Sequence, residues 1–364
     1  NWCEGLTAYM ADHLFAEQRG EGATYRRATL KKYSDLVSSG NDFPLADFGS
    51  RQSAASEAVG YGKSLMLFHM IRRAVGNESF LAALSRFDTD HRFTRASFAD
   101  IAQALTDEVG GDWAPFVEQW VGRTGAPSLE IVDIKVTESN AAVLPWKVAV
   151  RIRQTQPGAP YPMTIPVAVT VEGSNEPVWS EAGTCGGADC EIEVRTATKP
   201  LRLDVDPAFD VMRRLDPLEV PPALTTLMGA ENPLFVLPSR ADETELAAWR
   251  ELATNWAKPD TPRLALDRDL AGLPEGSVWV LGWSNTFAEE VSRAVGAQGV
   301  EIGESSVVLP TDELPRGDHS LVLVARAASD PADALGWVAA EPVAAIPGLS
   351  RKLPHYTRYS YLAF

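Results

Sequence analysis

The chain has 364 residues, 45% of them hydrophobic and 23% charged, and a net charge of −16. That composition is globular rather than disordered, and the length suits two or three domains. The acid is spread along the chain, which argues against nucleic acid or anionic membrane as partners, because phosphate binding needs clustered Lys and Arg, and no apolar run approaches the roughly 20 residues that span a bilayer.

Residues 1–126 read as helical. Leu6, Tyr9, Met10, His13 and Leu14 recur at helical spacing, as do Thr29, Leu30, Tyr33 and Leu36–Val37. The segment "GYGKSLMLFHMIRRAVG" predicts an apolar helix closed by Gly76, and "NESFLAALSRF" a second one capped by Asn77. An amphipathic helix in "TRASFADIAQALTDEVGG" stops at Gly110–Gly111. "DWAPFVEQWVGRTG" opens on Asp112 and stops at Gly125.

The period changes at Pro127. "SLEIVDIKV", "WKVAVRIRQ", "MTIPVAVTVEG", "PVWSEAG", "CEIEVRT" and "LRLDVD" alternate apolar and polar residues, so residues 127–212 predict an antiparallel β-sandwich. Residues 213–232 form a Pro-bearing linker. From 233 to 364 strands alternate with helices. "PLFVLPS", "SVWVLGW", "SSVVLP", "HSLVLVAR" and "YSYLAF" predict strands; "ADETELAAWRELATNWA", "NTFAEEVSRAVGAQG" and "DPADALGWVAA" predict helices. Such alternation favours an α/β domain with a mostly parallel sheet. The chain is therefore read as multidomain α+β.

Two of the three cysteines, Cys185 and Cys190, flank a short turn in "GTCGGADCEIEV", which reads as a hairpin. A disulfide between them implies an oxidising compartment, hence an extracytoplasmic protein, periplasmic or secreted.

Five histidines are candidate chemistry. His69 sits in an apolar run and reads as a core residue, while His13, His91, His319 and His355 lie beside charges or turns and read as solvated. Glu4 near a helix start suits capping. As one of two metal ligands on this helix it needs a partner three or four residues on, but Thr7 and Ala8 stand there and His13 is about half a turn out of phase, so as a ligand it would be a lone one donated to a site built elsewhere. In the last domain the turn after "SVWVLGW" is a candidate ligand crevice, but it has no Gly-x-Gly-x-x-Gly and no phosphate-loop Lys, so the domain reads as accessory.

Three segments, in order, carry a resemblance. "NWCEGLTAYMADHL" resembles the stretch after the HExxH helix in the aminopeptidase N-like zinc metallopeptidases, the gluzincins. "AVGYGKSLMLFHMIRRAVGNESFLAALSRF" resembles that family's Tyr-x-Lys-Gly segment and the helix after it, and "FTRASFADIAQALTDEVGGDWAPFVEQWVGRTGAPSLEI" the end of its catalytic domain. The resemblance implies that residues 1–126 are the helical C-terminal half of a thermolysin-like catalytic domain. It implies that Glu4 is the third zinc ligand and that Tyr61 is the catalytic hydroxyl that stabilises the oxyanion; Lys63 shapes the site or is solvated. Two departures stand out. Tyr-Gly-Lys-Ser replaces the more usual Tyr-Glu-Lys-Gly, and no histidine here is followed by Glu, so the chain holds no HExxH.

The resulting expectation is the C-terminal part of a longer zinc metallopeptidase, cut just before its third zinc ligand. The parent would bind zinc and take peptide substrates; this part alone would bind no zinc and be inactive. The oligomeric state is open. The alternative is a non-catalytic scaffold or interaction module from a degenerate peptidase.

Overall fold

A computed structural model describes residues 2–180, 183–296, 298–303, 305–309 and 312–364. Glu181 and Ala182 at the end of the predicted strand "PVWSEAG", Ala297 in a predicted helix and Pro310 after "SSVV" lie outside the described residues. The chain divides into two compact units, 1–216 and 217–364, with the division inside the predicted linker. N-terminal helices come first, then small antiparallel sheets, then a mixed, mostly parallel sheet. Among the described residues no helix is long and apolar enough to cross a membrane.

In the first unit, α1 (Trp2–Ala8) runs through a wider π turn, Tyr9–His13, into α2 (Leu14–Gln18). Then come α3 (Gly22–Leu36) and α4 (Ala54–Glu57). A second π turn, Ala58–Lys63, leads into α5 (Ser64–Val75), followed by α6 (Asn77–His91), α7 (Phe98–Val109) and α8 (Ala114–Val121). The central helix is α5, because Leu65, Met66, Leu67, Phe68, Met70 and Ile71 are all buried. It stops at Gly76, whose φ of 85° suits only glycine without strain. Ser97 caps α7 in a reciprocal box with Asp100.

The strands that follow are β1 (Leu129–Glu138), β2 (Trp146–Gln154), β3 (Met163–Thr164), β4 (Val167–Val171), β5 (Val178–Trp179), β6 (Thr184–Cys185), β7 (Asp189–Thr196) and β8 (Pro200–Val205). They form three antiparallel sheets in the orders β1-β2-β7, β5-β4-β8 and β3-β6. Ile152, Ile192 and Val194 are buried between exposed polar neighbours, the period-2 pattern of a one-sided strand face, whereas Val148–Val150 and Val167–Val169 are buried continuously, Ala149 and Ala168 included.

Cys185 and Cys190 are disulfide-bonded. They do not form the hairpin expected from their spacing: Cys185 pairs with Met163 on β3, and Cys190 with Ile152 on β2. The bridge thus ties two sheets together, and the Gly-rich segment between is a crossing rather than a ladder turn.

The second unit opens with α9 (Leu224–Met228), β9 (Leu234–Leu237), α10 (Glu243–Ala257), β10 (Arg263–Leu266), β11 (Val278–Leu281) and α11 (Ala288–Gly296). Three short strands follow, β12 (Glu301–Ile302), β13 (Ser306–Val308) and β14 (Glu313–Pro315). It ends with β15 (Leu321–Arg326), β16 (Ala334–Ala339), α12 (Ile346–Lys352) and β17 (Tyr361–Ala363). The main sheet has the order β10-β9-β11-β16-β15-β17, parallel across its first four strands and antiparallel at β15 and β17. Helices α10 and α12 contribute to the core on one face, and α11 to the core on the other.

Two expectations fail here. "DPADALGWVAA" is not helical: Ala334–Ala339 is a central strand with every residue buried. A strand covered on both faces loses its period-2 signal, and burial overrides the helix propensity of Ala and Leu. "SSVVLP" forms a strand, but in a separate antiparallel sheet, β12-β13-β14.

Candidate active site on the helical unit

The first turns of α1 meet the start of α5 at glycine. Gly5 is buried, and a Cβ built there would lie 2.0 Å from Ser64 Oγ and 3.0 Å from the Ser64 carbonyl carbon. Only a hydrogen fits, so the Glu-Gly pair has a mechanical meaning: Gly5 lets the helices touch and Glu4, one residue earlier, is left exposed beside the contact. Ser64 stands where the resembled family has glycine, and its hydroxyl fills that contact.

The π turn places Tyr61. Gly60 packs under the Phe48 ring, where a Cβ would come within 2.3 Å of Cε2, and the Phe48 and Tyr61 rings meet edge to face at 5.9 Å. Tyr61 is half-buried, and its hydroxyl faces the Glu4 carboxylate. Hydrogen bonding to that carboxylate is the main cause holding the phenol pKa above its usual value, with burial second. The structure therefore brings the two sequence-predicted site residues together. Glu57 stands nearby, bridging Lys32 at 2.5 Å and Arg51 at 2.9 Å.

Lys63 is not solvated. It is fully buried, and its ammonium donates to the carbonyls of Arg123 at 2.6 Å and Gly125 at 3.1 Å. Burial pulls its pKa down to about 8. Its role is to fasten the π turn to the turn that leads into the sheets.

A zinc site needs three protein ligands in tetrahedral geometry. Among the described residues no group of three His, Cys, Asp or Glu side chains is placed to hold a metal ion. Glu4 is one carboxylate, and the residues present do not fit a metal by themselves.

Directly beneath lies a buried polar network that motif reading missed. His13, expected to be solvated, is fully buried and stacked on Tyr9 at 4.8 Å. Arg26 Nη1 donates to His13 Nε2 at 2.8 Å, so the neutral ring carries its proton on Nδ1, which has no acceptor among the described residues. Burial, then the Arg26 charge, then His69 push the His13 pKa down to about 4.

His69 is a core residue, as expected, but not an idle one. Its Nε2 donates to Asp210 Oδ1 at 2.8 Å and its Nδ1 accepts from the Tyr9 hydroxyl at 3.2 Å, while Arg72 donates to Tyr9 and to Glu17. Arg26 also grips Asp210 at 2.9 Å and the carbonyls of Ala208 and Phe209. The gripped segment is strained, with φ of 50° at Asp206 and 55° at Phe209. Asp206, fully buried, takes the Asp210 N–H at 2.7 Å and Arg213 at 2.9 Å. The network clamps the segment after β8 onto the helices that carry Glu4 and Tyr61. A hint was available in the sequence: an Arg at 26 and a His at 69 on core-facing helix positions require buried acceptors.

The crevice considered in the second unit is closed. Asp267 is buried and accepts the backbone N–H groups of Ser239 at 2.9 Å, Arg268 at 2.7 Å and Thr286 at 2.8 Å, filling the spot at the carboxyl ends of β9 and β11 with the chain's own carboxylate. Burial works against its charge, but these bonds outweigh it and hold the carboxyl below its usual range.

The chain carries a distant, partial similarity to aminopeptidases of the aminopeptidase N class. Over 78 residues it is 33% identical to aminopeptidase N of Lactococcus lactis subsp. lactis, covering 21% of this chain and 9% of that protein. Over 153 residues it is 24% identical to mitochondrial aminopeptidase 2 of Saccharomyces cerevisiae, covering 42% of this chain and 14% of that protein. Among solved structures, Legionella pneumophila aminopeptidase A in complex with aspartic acid aligns with 62% of this chain and 24% of its own, at 16% identity and a TM-score of 0.38. The match to the two curated relatives thus spans 9% and 14% of their length. No family model matches the chain.

Proposed function

We propose that the helical unit is part of a zinc peptidase active site, to which it contributes Glu4 as one metal ligand and Tyr61 as the oxyanion donor. In this reading residues 1–126 are the helical half of a thermolysin-like catalytic domain, 127–212 a β-sandwich, 213–232 a linker and 233–364 an accessory domain. The observation that supports it is the approach of Glu4 and Tyr61: a carboxylate and a phenol, 57 positions apart in sequence, stand at the junction where Gly5 packs on Ser64, close enough for the carboxylate to raise the phenol pKa. When a peptide carbonyl is attacked its oxygen becomes anionic, and a positioned O–H donor stabilises it; loss of such a donor costs about 10²–10³ in rate. Tyr61 has one proton to give, so it serves the oxyanion only when it turns from Glu4.

No histidine among the 364 residues is followed by Glu, so in this reading the two histidine ligands and the general base come from an HExxH segment outside them. Metal analysis and a fluorogenic peptide assay test this on two proteins: this chain, and a version extended upstream to include an HExxH segment. The extended protein is expected to bind one zinc and cleave peptides, with Glu4→Gln weakening zinc retention and Tyr61→Phe lowering kcat with zinc kept. An extended protein with neither metal nor hydrolysis would leave the non-catalytic scaffold as the function. We also propose an extracytoplasmic location. The Cys185–Cys190 disulfide supports it, and a fully reduced pair in protein from its native compartment would overturn it.

A further inference from the structure

Strand β1 is the longest strand in the molecule, and it lies at the edge of its sheet, in the order β1-β2-β7. One side of its backbone is paired to β2, and among the described residues no strand pairs with the other. Ile131, Ile134 and Val136 are 47%, 45% and 50% exposed. They lie opposite Ile152, Val150 and Val148, which are buried, so they continue the apolar face of the sheet past its covered part. An open edge with an apolar face is a template for another strand.

The sequence of that edge says which strand. Residues 132–136 read Val-Asp-Ile-Lys-Val. Turn a second copy antiparallel about Ile134 and Val132 meets Val136 of the other copy, Ile134 meets its own image, and Asp133 meets Lys135 twice. An isologous contact needs this property, because each residue must suit its two-fold mate. The charged pair can exchange partners at little cost: Asp133 and Lys135 stand on the same face of one strand as an exposed ion pair 3.7 Å apart, the kind that contributes little to stability. A bulge at Val132, between Ile131 and Asp133, breaks the regular ladder there, so Val132 is the last residue of the matched run on that side. Glu130 and Glu138, which the same register sets opposite each other, lie outside the run, and their repulsion limits the overlap to it.

We propose that the free edge of β1 pairs antiparallel with β1 of a second copy of this chain, joining two three-stranded sheets into one across a two-fold axis at Ile134. This rests on neither the zinc site nor the Glu4–Tyr61 pair.

The test is sedimentation velocity or light scattering on the whole chain across a concentration series, with four proteins. The wild type is expected to reach twice the 39.4 kDa chain mass. Asp133→Lys and Lys135→Asp each set like charges against each other, and each alone should stay at single mass. An equimolar mixture of those two variants should form the double-mass species, because two lysines then face two aspartates, and the double swap Asp133→Lys/Lys135→Asp should restore it in one chain. Circular dichroism identical to wild type excludes misfolding of the single variants. A wild type at single mass throughout, where Lys135 and the bulge only guard the edge, overturns the proposal, as does a dimer that the single swaps leave intact.

Discussion

Two regions of the helical unit sit on the same two elements and follow opposite rules. Glu4 and Tyr61 lie at the exposed junction of α1 with the π turn before α5. Tyr9, His13 and His69 lie one to three turns further along the same helices and are buried. At the junction each polar group has one partner and faces solvent, so a partner can be exchanged at little cost. In the network the Tyr, Arg and Asp groups are multiply bonded, and the one that is not, His13 Nδ1, stays neutral. A helix can thus present chemistry at one turn and scaffolding at the next; burial, not residue type, decides which.

The comparison is broken most severely at Asp210. Removing it with Asp210→Ala leaves the buried Arg26 charge uncompensated and frees the strained segment, with an expected loss of about 3–5 kcal/mol. Glu4→Gln, by contrast, is expected to change stability by no more than about 0.5 kcal/mol, as for a surface site. Urea unfolding of both variants, with hydrogen exchange assigning the transition to residues 1–216, checks the contrast; equal losses would erase it.

The next effect is on pH dependence. His13 has a folded pKa of about 4, below its unfolded value near 6.5. Between those values the unfolded chain holds a proton that the folded chain lacks, so stability is full above 6.5 and is lost as pH falls toward 4. The span is worth about 3 kcal/mol. His13→Gln keeps an acceptor for Arg26 and does not titrate. The stability difference between wild type and this variant should therefore move by about 3 kcal/mol against wild type from pH 7 to pH 4. A constant difference would mean that His13 is protonated when folded.

Gly5→Ala comes third. The added methyl meets the Ser64 side chain and backbone, and overpacking of this kind costs about 1–3 kcal/mol. Pairing it with Ser64→Gly should recover most of the loss, since the closest contacts are to the Ser64 side chain. Thermal denaturation of the single and double variants reads this directly.

How much of this was legible in the sequence divides along the same line. The helices, the β segment and the alternating region follow from periodicity, and motif order singles out Glu4 and Tyr61, because those signals are local. His13 was misread because it is flanked by Asp12 and Leu14 in sequence, while its surroundings, Arg26, Tyr9 and His69, come from other turns and helices. Lys63 was open for the same reason: its acceptors lie 60 and 62 residues away. In the second unit Ala334–Ala339 looked helical because a strand buried on both faces shows no alternation. Each failure is a tertiary partner overriding a local pattern.

The smallest effect is the most specific to the candidate site. The Glu4 carboxylate raises the Tyr61 phenol in two ways, by accepting its proton in a hydrogen bond and by repelling the phenolate that titration would create. Replacing the carboxylate with an amide removes the charge and keeps a hydrogen-bond acceptor. In Glu4→Gln the Tyr61 pKa is therefore expected to fall back toward the ordinary value near 10. Carbon-13 labelling of the tyrosine rings, with Tyr61→Phe to assign the resonance, follows this one group among the eight tyrosines. Tyr9 serves as the internal contrast. Its pKa is raised chiefly by burial, and Arg72, Glu17 and Arg26 are the charges around it, so Glu4→Gln should leave it where it is. If Tyr61 does not move while Tyr9 holds still, the two site residues are not in contact in solution, and the proposed division of labour between Glu4 and Tyr61 loses the observation that supports it.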